Sequence, residues 1–299
     1  MAAPYTKQPL SDTFWGIVDP WMFMYQAVTH LPSTIVSLPM TPSSALTVLS
    51  PSRLQPLWFA NFWALMGPQV REASSPRVIP LLQGLVADGT ALPPSSPLAS
   101  PGIAGTVLEI GAGSGMWVHL FSPSHPHADT VRPGNGQRGK IVRVLGVEPN
   151  TGVHPALRKE ISTAGLDDTY EIVPMGIQDA LASGRIAEKS VDCIVTVLCL
   201  CSIPDGKANI AELYRCLKPG GRWYVYEHVA AFREQGWAMR LYQAFVNIFW
   251  PRCIGGCNIR RDTLSHLREA GAWASFDLVQ PRQEPWFFTL PHIYGILTK

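Results

Sequence analysis

The residues best able to do chemistry fall in two places. Between Thr106 and Met116 the chain reads Thr-Val-Leu-Glu-Ile-Gly-Ala-Gly-Ser-Gly-Met, so Glu109 stands two positions before three alternate glycines, Gly111, Gly113 and Gly115. Glycines let the chain turn sharply and let a ligand touch bare backbone. A helix expected over 115–121 would add unpaired N–H groups. Such a turn can cradle a nucleoside cofactor, although a plain strand-to-helix turn would use the same residues. The spacing is not the G-x-G-x-x-G of dinucleotide folds. The second place is Glu148, followed by Pro149 and Asn150, at the end of the apolar run Ile141–Val147. A carboxylate at a strand's C-terminal end, beside a glycine turn, can accept hydrogen bonds from both ribose hydroxyls.

Weaker candidates follow. In Met175-Gly-Ile-Gln-Asp179 the backbone of Gly176 and Ile177, with Gln178 or Asp179 as side-chain partner, could read an adenine edge; an N-cap by Asp179 competes equally. Ligands of open α/β sheets lie beyond the carboxyl ends of the strands, so Thr196, Val197 and Leu198 are expected to face the cofactor. Cys199 and Cys201 read as small apolar packing residues. Glu227 and His228 emerge where an acceptor would sit. His228 is the candidate proton acceptor, against a structural role for it, alone or with Glu227. The segment 122–140 carries three prolines and three glycines and reads as a mobile solvent loop. Its His125, His127 and Asp129 lack a fourth ligand or supporting shell, so no metal is expected.

The elements that must position these groups alternate. Strands are expected at 106–110, 141–147, 170–173, 191–198, 222–227, 275–280 and 292–298. Helices are expected at 115–121, 154–164, 178–183, 207–217 and 260–271, with a further helical stretch after 230. This pattern predicts an α/β fold, a largely parallel sheet with helices on both faces. Before it, helices are expected at 19–30, 55–66 and 75–87, and the Pro-rich stretch 88–105 reads as a linker. The division is therefore an N-terminal helical cap or lid over 1–94 and a core over 95–299. Trp15, Trp21, Phe59, Trp63 and the aromatics of 237–250 could roof an apolar pocket.

Composition narrows the partners. Hydrophobic residues make up 46% and charged residues 15%, well under the roughly 25% charged that is typical. A formal charge of +2 without a basic run argues against nucleic acid. Six scattered cysteines read as free thiols of a reducing compartment. Neither a signal peptide nor a membrane-spanning run is apparent, which points to the cytoplasm. Phe14–Tyr25 and Leu57–Met66 are rich in aromatics. They could lie on the cytosolic face of a bilayer or roof an apolar substrate pocket, although ordinary burial is the first expectation.

Taken in order, Val107–Gly115, Gly146–Asn150, Ser190–Asp205, Glu212–Gly221 and Glu227-His228-Val229 resemble the core of the class I S-adenosylmethionine (SAM) methyltransferases. With Gly255-Gly256-Cys257-Asn258-Ile259 and Pro291–Ile296 the chain is similar to fungal relatives of the microsomal alkyl-thiol methyltransferases, the methyltransferase-like seven group. The resemblance implies a Rossmann-like sheet of seven strands with the last antiparallel, SAM as methyl donor and S-adenosylhomocysteine as product. It places Glu109, Gly111, Gly113 and Gly115 around the methionine part, Glu148 at the ribose and Gly176 to Gln178 at the adenine. Many such enzymes keep an acid where Gly176 stands. The mammalian relatives begin with a membrane anchor, and no segment here has that strength. A small hydrophobic acceptor is expected. A thiol is favoured, because a thiolate needs little base catalysis. O- or N-methylation of a secondary metabolite is the alternative, and an oxygen acceptor would need a base such as His228 or His292. A SAM-binding protein guiding a non-methylating reaction such as cyclisation is the further alternative.

Overall fold

The computed structural model describes residues 10–39, 41–123 and 139–299. His125, His127, Asp129 and most of the expected 122–140 loop lie outside them. Four helices come first: α1 (Leu10–Thr29), α2 (Leu31–Val36), α3 (Pro42–Leu49) and α4 (Pro51–Gln83). The helices expected at 55–66 and 75–87 are one rod, α4, which runs through Pro56, Pro68, Pro76 and Pro80. Each interior proline removes an N–H and crowds the preceding turn, at about 3 kcal/mol in an isolated helix. Continuity must therefore come from tertiary packing, and both ends supply it: Phe62 near the start and Val78, Leu81 and Leu82 near the finish are buried. The rod stops at Gly84, whose left-handed backbone (φ 77°) is a C-cap.

Within the expected linker a small ribbon forms. Strands β1 (Val86–Ala87) and β2 (Thr90–Ala91) pair antiparallel. Asp88 and Gly89, both at positive φ, make the tight turn between them.

The core then runs β3 (Gly105–Ile110), β4 (Ile141–Val147), α5 (His154–Thr163), β5 (Tyr170–Val173), α6 (Ile177–Ala182), β6 (Val191–Val197), α7 (Gly206–Cys216), β7 (Leu217–His228), α8 (Gly236–Cys253), α9 (Thr263–Glu269), β8 (Ser275–Val279) and β9 (His292–Thr298). The seven strands β3 to β9 form one sheet in the order β5-β4-β3-β6-β7-β9-β8. Only β9 runs against its neighbours, β7 and β8. The chain's path reverses at β3, flanked by β4 and β6, and opens a crevice at the carboxyl ends of these strands.

Side chains alternate across the sheet. One face carries Val107, Val144, Val195, Tyr224 and Tyr226, packed with Val78, Leu81 and Leu82 of α4 and Leu157 of α5. The other carries Leu108, Leu145, Ile194, Trp223 and Val225 against Ile177, Ile210, Leu213 and Leu267. The far end of α4 thus belongs to the core of the sheet. Its near end joins α1 and α8 in a third cluster around Met24, Phe62, Val246 and Trp250.

One expected element is absent. Residues 115–121 form turns and a short 3-10 segment, Val118–Phe121, instead of an α-helix. Pro123 disfavours a helical conformation at Ser122, so the segment cannot be extended beyond Phe121.

Candidate active site

The crevice opens into a cavity of about 1040 Å³, walled by the ends of β3, β4, β6 and β7 and roofed by α1, α4 and α8. That is the upper end of the roughly 300–1,000 Å³ of single-ligand pockets, large enough for a nucleoside and an acceptor side by side.

The glycine turn forms its floor. Gly111 and Gly113 both adopt positive φ. A Cβ on Gly111 would sit 2.6 Å from that of Cys199, whereas one on Gly113 would meet nothing closer than 3.8 Å, so its backbone faces the cavity bare. Glu148 ties this turn to the next strand: its Oε2 accepts from the Gly113 N–H (2.8 Å) and its Oε1 from the Asn150 N–H (2.8 Å). Burial pushes the Glu148 carboxyl up, and the two N–H donors pull it back towards the charged form. Pro149 and Asn150 continue the wall, and Gly176, Ile177, Gln178 and Asp179 close one side of it. Gly176, not Asp179, holds the N-cap position of α6.

Three residues expected at the cofactor stand outside the wall. The Glu109 side chain is buried beneath the turn, where it accepts from the Tyr170 hydroxyl; burial raises its carboxyl to about 7. Gly115 is a packing glycine, since a Cβ there would lie 2.8 Å from that of Glu160 on α5. Thr196 points to the opposite face of the sheet, fully buried, and its Oγ1 accepts from the Trp223 indole (3.0 Å). The strand's alternation explains it: Thr196 shares its face with Ile194.

Val197 and Leu198 do reach the cavity. Leu198 holds a positive φ of 55°, costly for a branched side chain. Glu227 over-determines this turn by accepting from the Cys199 N–H (3.2 Å) and the Leu200 N–H (3.1 Å). Burial raises the Glu227 carboxyl to about 7. Its place is a loop clamp, separate from His228. The half-buried His228 ring lies in the wall, with Nδ1 3.8 Å from the Cys257 sulfur and its centroid 4.6 Å from that of His292. His292 is held by Glu284, Nδ1 to Oε1 2.5 Å, and burial lowers its pKa.

The roof is aromatic. Phe59 stacks on Trp63 and Phe23 on Trp250, and all four line the cavity. Trp15, expected there, is 55% exposed. Trp21 packs outside, on Phe245 and Phe249, and donates to the Tyr242 hydroxyl (2.8 Å). Phe23 belongs to the aromatic stretch Phe14–Tyr25 that could roof a pocket, whereas Arg77, Tyr226 and Cys257 were not expected as wall residues. The alternation Tyr224, Tyr226, His228 along β7 could have found Tyr226. Arg77, with its guanidinium 5.9 Å over the Tyr226 ring, is the one Lys or Arg in the wall among the described residues. It lies on the helix expected at 75–87, and no local pattern marks the side of that helix that meets the cavity.

A seven-stranded sheet with a reversed strand, a glycine turn and an acid at the adjacent strand end define a Rossmann-like transferase site. Residues 83–279 match the family described as methyltransferase domain, and the chain belongs to that family: it is a methyltransferase that takes its methyl group from SAM. Human thiol S-methyltransferase TMT1A is 29% identical over 197 residues, which cover 65% of this chain and 70% of that protein. Human thiol S-methyltransferase TMT1B is 32% identical over 197 residues, 64% of this chain and 70% of its own length. A Nostoc punctiforme PCC 73102 protein, provisionally assigned to the O-methyltransferases, has a solved structure similar at a TM-score of 0.50 and 11% identity. It covers 95% of this chain and 71% of itself, a likeness of fold alone. The residues fit SAM: bare backbone at Gly113, a carboxylate at the next strand end, and room for a nucleoside.

Two predictions follow from this geometry. Glu148→Gln should weaken S-adenosylhomocysteine binding about 10–100-fold by calorimetry, since it replaces charge-assisted acceptance with neutral; unchanged affinity would remove Glu148 from the cofactor site. Glu109 is raised to about 7 in the fold against about 4.3 unfolded. Its contribution to stability is therefore complete below about pH 4.3 and lost as pH rises through 7. Glu109→Gln, which keeps an acceptor for Tyr170, should show a smaller fall in urea midpoint between pH 5 and pH 7 than the native chain; an equal fall would refute the assignment.

Proposed function

We propose that this methyltransferase acts on a small hydrophobic thiol, making a methyl thioether. The carrying observation is the apolar roof of Phe23, Phe59, Trp63 and Trp250 directly above the cofactor floor. The names of the human relatives support the same acceptor class. When bound, SAM supplies an electrophilic methyl group on a sulfonium. In this reading Gly111 and Gly113 admit it against bare backbone and Glu148 accepts from its ribose hydroxyls. Gly176 to Gln178 flank its adenine, and Arg77 pairs with its carboxylate. The roof holds the acceptor sulfur in line and excludes water, and such positioning supplies most of the rate. Of the cap expected over 1–94, α1 and the part of α4 that lines the cavity serve as the lid, while the far end of α4 belongs to the sheet. The acceptor thiolate is already a strong nucleophile, so His228 need not act as base.

Incubation with labelled SAM and matched alkyl thiols, alcohols and amines should label the thiols alone. Labelling of an alcohol or amine at an equal or higher rate would overturn the thiol reading.

A second observation favours contact with the cytosolic face of a membrane. The outer sides of α1 and α8 leave Tyr25 69%, Trp237 79% and Leu241 64% exposed. Among the described residues no helix is long and apolar enough to cross a membrane, so the contact would be peripheral. Co-sedimentation with phospholipid vesicles is expected, and its loss in a Trp237→Glu, Leu241→Glu variant; a native chain that stays in the supernatant would end this reading.

A further inference from the structure

We propose that Cys201, His228 and Cys257 form a binding site for a soft divalent metal of the zinc class, with the acceptor thiolate as fourth ligand. The proposal rests on the thiol reading above and adds how the thiol is held and ionised.

Three separate elements deliver the ligands. Cys201 follows β6, His228 ends β7 and Cys257 follows α8. The two sulfurs lie 2.9 Å apart, Cys257 Sγ is 3.8 Å from His228 Nδ1, and all three donor atoms fall within 4.8 Å of one another. All six cysteines are free thiols, so this closeness is not a disulfide. The approach is built. Gly255 and Gly256, both at positive φ (52° and 80°), turn the chain sharply after α8. The Cys257 N–H donates to the Ile254 carbonyl (2.8 Å), and the Asn258 N–H donates to the Cys201 carbonyl (3.0 Å), which locks the turn onto the β6 loop. The Gly-Gly-Cys-Asn run of the tail thereby acquires a purpose that the cofactor site does not give it.

The donor set selects the ligand. Two thiolates and one imidazole suit zinc, and Cys2His with one open place is a recurring catalytic zinc arrangement. Two protein thiolates balance a divalent ion, so the site is neutral and tolerates its buried surroundings until the acceptor thiolate adds one negative charge. At Zn–S of about 2.3 Å tetrahedral geometry spaces two sulfurs about 3.8 Å apart, so the pair must open by about 0.9 Å on loading. Among the described residues no fourth His, Cys, Asp or Glu joins the set. His228 and Cys257 both line the cavity, so the open place faces the acceptor.

The chemistry balances. The acceptor thiol binds as a thiolate and releases its proton to solvent, because a coordinating thiol is deprotonated outright. A sulfur lone pair forms the new S–CH3 bond as the sulfonium C–S bond breaks, its electron pair passing to the homocysteine sulfur. The neutral thioether is a poorer zinc ligand than the thiolate and leaves. His228 is then a ligand and not a base.

The test is titration of the reduced, anaerobic full chain with Co2+ and then Zn2+. One metal per chain is expected, with a thiolate-to-cobalt charge-transfer band that an alkyl thiol perturbs and Zn2+ displaces. The band should vanish in Cys201→Ser, Cys257→Ser and survive in Cys253→Ser. S-adenosylhomocysteine calorimetry and circular dichroism certify the fold of each variant. Chelation should lower thiol methylation at least 10-fold, and Zn2+ should restore it. No bound metal, equal binding by the double variant, or closure of the pair to a disulfide under these conditions would overturn the proposal. Undiminished thiol methylation by metal-free protein overturns the metal site and leaves the thiol reading standing. A metal site whose band responds to thiol, in an enzyme that methylates only oxygen or nitrogen, upholds the site and overturns the thiol reading.

Discussion

The carboxylate of Glu148 is the constraint on which the floor of the cavity depends. One oxygen accepts from the backbone of Gly113 and the other from that of Asn150. The turns at the ends of β3 and β4 are thus held by a single charged group. Charge-assisted bonds to backbone N–H groups are among the stronger ones in a protein, and here they are sheltered. The consequence is a preformed floor: the bare backbone of Gly113 is presented at a fixed height relative to the strand ends. A second acid does the same for the neighbouring strand, since Glu227 pins the strained Leu198 turn through two N–H groups. Two buried carboxylates therefore shape the crevice before any ligand arrives, and both owe their effect to the backbone they hold.

The division of labour is clear in the burial pattern. The sheet and its two apolar faces supply rigidity, and the side chains that vary the chemistry come from α1, α4, α8 and the segments after β7. Four aromatic side chains lie in the roof, with Arg77 of α4 beside them, while Glu148 and the exposed backbone of Gly113 lie at the floor. Such a partition suits a reaction in which a charged cofactor must be recognised by polar contacts and a lipophilic acceptor by exclusion of water.

Much of this was legible in the amino-acid order. The seven strands of the sheet are short apolar runs between turn signals, and six of them fall within a residue of expectation. The exception, β7, begins at Leu217 instead of Arg222: Leu217 already pairs with Val191, and Lys218-Pro219-Gly220-Gly221 bulge out of the ladder before it resumes at Arg222 opposite Cys193. The glycine turn and Glu148 were equally visible, because their spacing is local. What was not visible is what tertiary contact decides. Four prolines argued against α4, and only burial at both its ends overrules them. Thr196 was assigned to the cofactor by its place at a strand end, yet the strand's alternation turns it away. Cys201, His228 and Cys257 stand 27 and 29 positions apart, with none of the short spacings that betray a ligand set. Only the crossing of three elements brings them together.

The unbroken α4 has one more implication. It runs from the roof at Phe59 and Trp63 to the core of the sheet at Val78, Leu81 and Leu82, a span of about 30 Å at 1.5 Å per residue. A rod of that length, packed at both ends, joins the core of the sheet to the cluster beneath the roof in one rigid element. The packing of Val78, Leu81 and Leu82 in the sheet and the placement of Phe59 and Trp63 over the cavity are thereby properties of a single helix.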